Sequence, residues 1–214
     1  MNRFIDRAGP NEVNRLYELC CDVQLKPPPW KNRGFLMSDY KANPSGMKKY
    51  INDCVSSEGA LSLATFEDGL LPGWLLGYSK EAWYEGWASD IILNPAAELA
   101  KSKDYVVLEK IIVHSCFRRN GIGRELYERF VEFSKQINAN YIFIEIVEAV
   151  LKGENLEDLE LLDIKNTVSI DFFKAMGAKK VGESKVPYHY GGSYLGDNGF
   201  FTNGIYMVDL KNKE

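Results

Sequence analysis

The chain has 214 residues, 45% of them hydrophobic, which suits one domain with a substantial apolar core and argues against disorder as the main state. Twenty-six Lys and Arg against thirty Asp and Glu leave a formal charge of −4, unlike the dense basic face of a duplex-binding protein. The cysteines, Cys20, Cys21, Cys54 and Cys116, form no C-x-x-C pair, Met1–Pro10 has no apolar signal region, and no run reaches the roughly 18 apolar residues of a membrane helix. The expectation is a reduced, cytoplasmic protein of one domain over residues 1–214, with no metal, nucleic acid or membrane as partner.

Phe4 to Arg7 predicts a short first strand. From Val13, apolar residues at Val13, Leu16, Tyr17, Cys20 and Cys21 describe one helix face, with Pro10 suited to a first turn. Pro27-Pro28-Pro29 forces an extended loop. A second helix is predicted from Ser45 to Cys54, then two strands, Leu61–Phe66 and Trp74–Tyr78, joined by a turn at Glu67-Asp68-Gly69. Residues 82–103 are poorly patterned and read as an insertion. Tyr105 to Ser115 carries the clearest strand signal. Ile122, Leu126, Phe130, Phe133 and Ile137 then mark a strongly amphipathic helix. Tyr141 to Val147 is a nearly continuous apolar strand, buried on both faces. A helix from about Asn166 to Met176 stops at Gly177, and Val181 and Ile205–Leu210 supply closing strands. The order implies a mixed α/β fold with helices on a twisted sheet.

Between the Tyr105 strand and the Ile122 helix lies Arg118-Arg119-Asn120-Gly121-Ile122-Gly123-Arg124. A helix start exposes unpaired N–H groups and a partial positive charge, which suits a phosphate. Gly121 and Gly123 let backbone approach it without a Cβ, and the arginines add charge-assisted donors. The loop is neither a P-loop, since Arg124 and Glu125 follow Gly123, nor a full G-x-G-x-x-G fingerprint. Taken alone it also fits an arginine-rich turn with a glycine helix entry.

Leu108-Glu109-Lys110-Ile111-Ile112-Val113-His114, followed by Arg118-x-x-Gly121-x-Gly123 and an amphipathic helix, resembles the core motif of the GNAT superfamily of acetyl-CoA-dependent N-acetyltransferases. Asn166-x-x-Ser169-Ile170-x-Phe172-Phe173-x-x-Met176-Gly177-Ala178 is similar to that superfamily's late helix. The resemblance implies a centrally splayed sheet of about six to seven strands flanked by helices, the GNAT-like acyl-CoA N-acyltransferase fold. It further implies acetyl-CoA as cosubstrate, bound without a metal. The backbone along Ile111, Ile112 and Val113 would run beside the pantetheine arm, Ile111 and Val113 pairing with its amides like an added strand. Arg118, Arg119, Asn120, Gly121, Ile122, Gly123 and Arg124 would take the pyrophosphate, with Asn166, Phe173 and Lys174 flanking from the late helix.

The implied acceptor is a small-molecule amine or a protein amino group, and a homodimeric assembly is left open. Such an amine arrives protonated, because a primary alkylamine resembles Lys with a pKa of about 10.4. Glu109 and Glu145 stand where family members keep a carboxylate base, each an acid within an apolar strand. The alternative is an edge-facing or salt-bridged glutamate, paired with Lys110 or a neighbour. Phe173 occupies a position that usually holds an acid tyrosine; a phenyl ring has no proton to give, and water, Tyr188 or Tyr190 are the substitutes. His114 is read as a packing or hydrogen-bonding residue. Residues 148–165, a second insertion, hold six acids against Lys152 and Lys165. They read either as a solvated helix with Leu156, Leu159 and Leu162 inward or as an acidic rim attracting a cation. Trp30, Trp83, Tyr84 and Trp87 would either stack on an acceptor or pack a lid.

Overall fold

The computed structural model describes residues 2–24, 40–80, 82, 104–152, 160–162, 166–188 and 199–211. Pro27–Pro29, Trp30, Trp83, Tyr84, Trp87 and Tyr190 lie outside them, as do the side chain of Tyr188 and most of residues 82–103.

The strands are β1 (Arg3–Arg7), β2 (Ala60–Glu67), β3 (Leu70–Ser79), β4 (Tyr105–Val113), β5 (Tyr141–Lys152), β6 (Glu160–Leu162), β7 (Lys179–Tyr188) and β8 (Gly199–Asp209). The helices are α1 (Val13–Val23), α2 (Pro44–Ser56), α3 (Ile122–Gln136) and α4 (Thr167–Ala175). The spatial order is β1-β2-β3-β4-β5-β8-β7, with the short β6 paired to the end of β5. Every pairing is antiparallel except β4 with β5, which α3 connects. The sheet is open, and the mixed fold follows the predicted element order with β6 added between β5 and α4.

Local chemistry sets the element ends. Asp68 and Gly69 both hold positive φ, 47° and 81°, the tight two-residue turn that lets β2 and β3 pair with their native twist. Pro44 opens α2, and the Asn43 side chain accepts from Gly46 N at 3.0 Å as a cap. Gly177, at φ 88°, ends α4 as its position predicts.

Alternation of side chains across the strands builds apolar core on both faces of the sheet. Leu16, Leu19, Cys20 and Val23 of α1 and Ile51 and Cys54 of α2 pack on Trp74, Leu76, Tyr78 and Ile112. Leu19 and Val23 thus join the predicted α1 face, while Val13, Tyr17 and Cys21 sit at its margin. On the other side, Ile122, Leu126 and Phe130 of α3 and Phe173 of α4 pack on Leu75, Val106, Leu108, Ile142 and Ile144. α3 rests directly on two glycines of β3. A Cβ on Gly73 would stand 2.6 Å from Ile122 Cγ2, and one on Gly77 would enter the Phe130 ring. That close approach fixes the depth of α3 and so the place of its first turn.

The acidic insertion departs from its helical reading where it is described. Residues 148–152 continue β5, past an irregularity between Val147 and Ala149, and 160–162 form β6. Backbone pairing with β8 and β6 supplies the hydrogen bonds that a helix would otherwise have made internally. Glu148 turns toward the sheet, accepting from Tyr206 Oη at 2.6 Å and pairing with Lys180 Nζ at 2.6 Å.

Candidate active site

The site begins where β4 and β5 part. Their ladder runs only from Tyr105–Tyr141 to Leu108–Ile144, although β4 continues to Val113 and β5 to Lys152. At the same point β4 bulges. Gly77 pairs with Leu108 and Leu76 with Lys110, so Glu109 is the extra residue. The bulge reverses the alternation. Val106 and Leu108 face α3, whereas Lys110 and Ile112 face α1 and α2, and Ile111 and Val113 take the α3 side. His114 N donates to Pro72 O at 2.9 Å, which places the even-numbered residues of this stretch in the β3 ladder. Ile111 and Val113 therefore turn their backbone groups to the fork. The Val113 carbonyl already accepts from Arg118 Nε at 3.2 Å.

The fork opens into a cleft of about 860 Å³. Of the residues singled out in the sequence, Glu109, Glu145, Ile111, Ile112, Val113, Arg118, Arg119, Gly121, Ile122, Gly123, Arg124, Asn166 and Phe173 line it. Asn120 and Lys174 are not among its lining residues. Lys174 is exposed beside the inward Phe173, because adjacent helical residues point about 100° apart.

At the glycine turn, Gly121 caps α3 at φ 85° and Arg119 sits at φ 68°. A side chain is uncommon at such an angle, so the turn is held by its surroundings. Asp22, near the end of α1, accepts from Ser115 N at 2.8 Å and Ser115 Oγ at 3.0 Å. His114 Nδ1 accepts from Cys116 N at 3.2 Å, and its ring meets Phe117 edge-on, the hydrogen-bonding and packing role expected of it.

At the fork, Glu109 and Glu145 occupy the first positions beyond the shared ladder, one on each strand. Asn203 Nδ2 donates to Glu145 Oε1 at 2.6 Å. Glu109 Oε1 accepts from Tyr50 Oη at 2.7 Å and stands 2.6 Å from Lys110 Nζ, so the ion pair with Lys110 is present. Lys110 Nζ also reaches Tyr50 Oη at 2.9 Å and lies over the Tyr50 and Trp74 rings. Burial works to lower the Lys110 pKa. The charge of Glu109, the neighbouring Tyr40 and Tyr50 and the Glu109 hydrogen bond together outweigh it, so Lys110 is held well above the ordinary lysine value. Phe173 is buried in an edge-to-face cluster with Phe172 and Tyr127. No tyrosine is among the described lining residues, which leaves the acid position without a phenol there.

A forked parallel pair, a glycine turn at a helix start and a half-buried carboxylate pair thus line one cleft. The model of the acetyltransferase (GNAT) family matches residues 35–153, more than half of the chain. The chain belongs to the GNAT acetyltransferase family. Among solved structures, Arabidopsis thaliana NAA60 in complex with acetyl-CoA is 14% identical, covers 99% of this chain and 100% of its own, and superposes with a TM-score of 0.61. PaiA N-acetyltransferase from Thermoplasma acidophilum, in complex with coenzyme A, is 14% identical over 98% and 99% of the two chains, at 0.57. The ribosomal-protein-S18-alanine N-acetyltransferase from Escherichia coli is 12% identical over 98% and 94%, at 0.56. At these identities the likeness is one of fold. No curated protein gave a significant sequence match.

As a GNAT protein the chain carries groups that its motifs did not announce. Tyr50 comes from α2, outside both motifs, and Asn203 from β8, more than fifty residues from the glutamate it contacts. Lys110 sits inside the first motif, yet in a regular strand it would lie on the face opposite Glu109. A charged Glu-Lys pair within an apolar run is the one available signal, and it points to a bulge only weakly. No helix among the described residues is long and apolar enough to cross a membrane.

Proposed function

We propose that this GNAT protein transfers an acetyl group from acetyl-CoA to a primary amine by direct attack, without an acyl-enzyme. The observation that carries the reading is the fork itself: the Ile111 and Val113 amides face a cleft that ends at the glycine turn and first turn of α3. Those residues suit the cosubstrate. The open strand edge offers amides to a pantetheine arm, and Arg118, Arg119, Arg124 and the N–H groups of α3 offer donors to a diphosphate. Gly123 faces Phe172 and Val113 with only ordinary contact distances for a Cβ, 3.6 and 3.7 Å, so the turn is roomy rather than filled. When bound, acetyl-CoA supplies the acyl group as an activated thioester.

The chain's own residues orient the arm, accept a proton and exclude water. An alkylammonium must lose its proton before it can attack, and at pH 7 a carboxylate at the fork is the available acceptor. Glu109 is proposed for that role, because both of its contacts fall on Oε1 and hold the carboxylate still while Oε2 is left for the amine or a bridging water. Glu145, tied to Asn203, is proposed as the second acceptor. The Val113 N–H is proposed to steady the carbonyl oxygen as it gains charge. Cys116 is exposed and is not among the lining residues, which favours direct attack over a covalent route. Whether the amine is a small molecule or a protein amino group turns on the width of the acceptor side.

Incubation with acetyl-CoA and a panel of small amines and amino-terminal peptides, with free thiol monitored, tests the reading. Thiol release that depends on an amine is the expected result. Phe173 favours a second reading, a non-catalytic acyl-CoA-binding module, and calorimetric binding without thiol release for any acceptor or pH would establish it. No heat with coenzyme A or acetyl-CoA would overturn both.

A further inference from the structure

We propose that Arg3, on β1 and outside the cleft, is a positioning residue for diphosphate binding: it orients the glycine turn and offsets part of the charge of the Glu125 carboxylate beside it. The proposal rests on the reading of that turn as the diphosphate seat. Arg3 is anchored first to Glu67, whose Oε2 lies 2.8 Å from Arg3 Nε and whose side chain is only 7% exposed. From that anchor Nη1 donates to the Asn120 carbonyl at 2.9 Å and reaches Glu125 Oε1 at 3.4 Å. A planar guanidinium can hold several acceptors in fixed directions at once, which a lysine ammonium on its flexible stem cannot.

Two consequences follow for an anion at the turn. In a trans peptide the carbonyl and the following N–H point in opposite directions, so a carbonyl of Asn120 fastened to Arg3 turns the Gly121 N–H away from β1. Gly121 lines the cleft. The second consequence is electrostatic. A Cβ on Gly121 would come within 3.3 Å of Glu125 Oε1, so a carboxylate stands over the very helix start that is to receive a diphosphate. Uncompensated, that charge repels the ligand. Arg3 contacts the same oxygen and offsets part of that charge. The first strand, more than a hundred residues away in sequence, thereby makes the turn fit for an anion.

Calorimetry with coenzyme A and kinetics with acetyl-CoA and acetyl-pantetheine, which lacks the diphosphate, test this. Arg3→Gln is expected to weaken coenzyme A binding by about tenfold, the scale of a lost charge-assisted contact. The KM for acetyl-pantetheine and kcat should stay within about twofold. Adding Glu125→Gln to Arg3→Gln should recover about threefold of the affinity, since the exposed repulsive charge is then gone. Arg3→Lys keeps a cation beside Glu67 but cannot hold Asn120 as well, and should weaken coenzyme A by about threefold even where Arg3→Gln is too unstable to purify. Unchanged coenzyme A affinity in Arg3→Lys or Arg3→Gln, an equal loss for acetyl-pantetheine, or no recovery in the double variant each overturns the role of Arg3. A wild-type protein that binds no coenzyme A removes the seat itself, a different failure.

Discussion

Replacing Lys110 by Met removes the cation at the centre of the fork while keeping an unbranched apolar stem of similar length. Lys110 is 8% exposed at its side chain and Glu109 20%, so this is a pair largely withdrawn from water. Removing one partner of a buried pair costs about 3–5 kcal/mol, because the other charge is left uncompensated. Glu109 keeps some water and the Tyr50 hydroxyl, which places Lys110→Met at about 3 kcal/mol. In the double variant Lys110→Met with Glu109→Gln no charge is stranded, and the loss should shrink to about 1 kcal/mol, a non-additive result. Urea unfolding followed by circular dichroism measures both. The pH dependence has a definite sign. The folded pKa of Lys110 is raised, so its contribution is complete below the unfolded value of about 10.4 and drains away as pH climbs toward the folded value. Buried tyrosines lose stability over the same range in both proteins, and the difference between wild type and Lys110→Met isolates the lysine. That difference should be flat from pH 7 to 9 and narrow at higher pH. A Lys110→Met protein within about 0.5 kcal/mol of wild type, or additive losses in the double variant, would refute the coupling.

The remaining predictions concern the cleft and its support. Glu109→Gln should lower kcat by about 10²-fold or more while leaving the Kd for coenzyme A nearly intact, and unchanged turnover would move the base to Glu145, tested likewise by Glu145→Gln, or to solvent. Gly121→Leu places a branched side chain at φ 85° in the anion turn and should weaken coenzyme A by about tenfold or more, read by calorimetry. Gly77→Ala puts a methyl into the Phe130 ring and 2.9 Å from the Val107 carbonyl, and should cost about 3 kcal/mol in thermal or urea unfolding. Cys116 is exposed, whereas desolvation pushes the Cys20 thiol up to about 12, so Ellman's reagent at pH 8 should modify Cys116 quickly and Cys20 only after unfolding.

Much of the fold was legible because it depends on local pattern. The spacing of Ile122, Leu126 and Phe130 at four-residue steps marks the buried stripe of α3, and the same three residues meet the β3 glycines. Gly177 reads as a helix stop because a left-handed residue without a Cβ ends a helix most easily, and its φ of 88° agrees. The acidic stretch misled for the same reason. Leu156, Leu159 and Leu162 sit at helical spacing, but residues 148–152 extend β5 along β8, and 160–162 pair with that extension as β6. Local spacing cannot report an edge supplied by strands up to sixty residues away.

The sequence by itself determined the order of elements, the glycine turn at the start of α3 and the two glutamates that stand at the parting of β4 and β5. The first two follow from side-chain period and from backbone angles open to glycine, carried within a few positions of the chain, and the glutamates from the resemblance of their motif and strand to the GNAT superfamily. Only the tertiary structure decided that Glu109 and Lys110 share one face under Tyr50, that Asn203 holds Glu145, and that Arg3 grips the turn before α3. Each depends on a bulge or a strand order that brings distant segments together, and the energy of such contacts comes from burial and charge pairing that exist only once the sheet has formed.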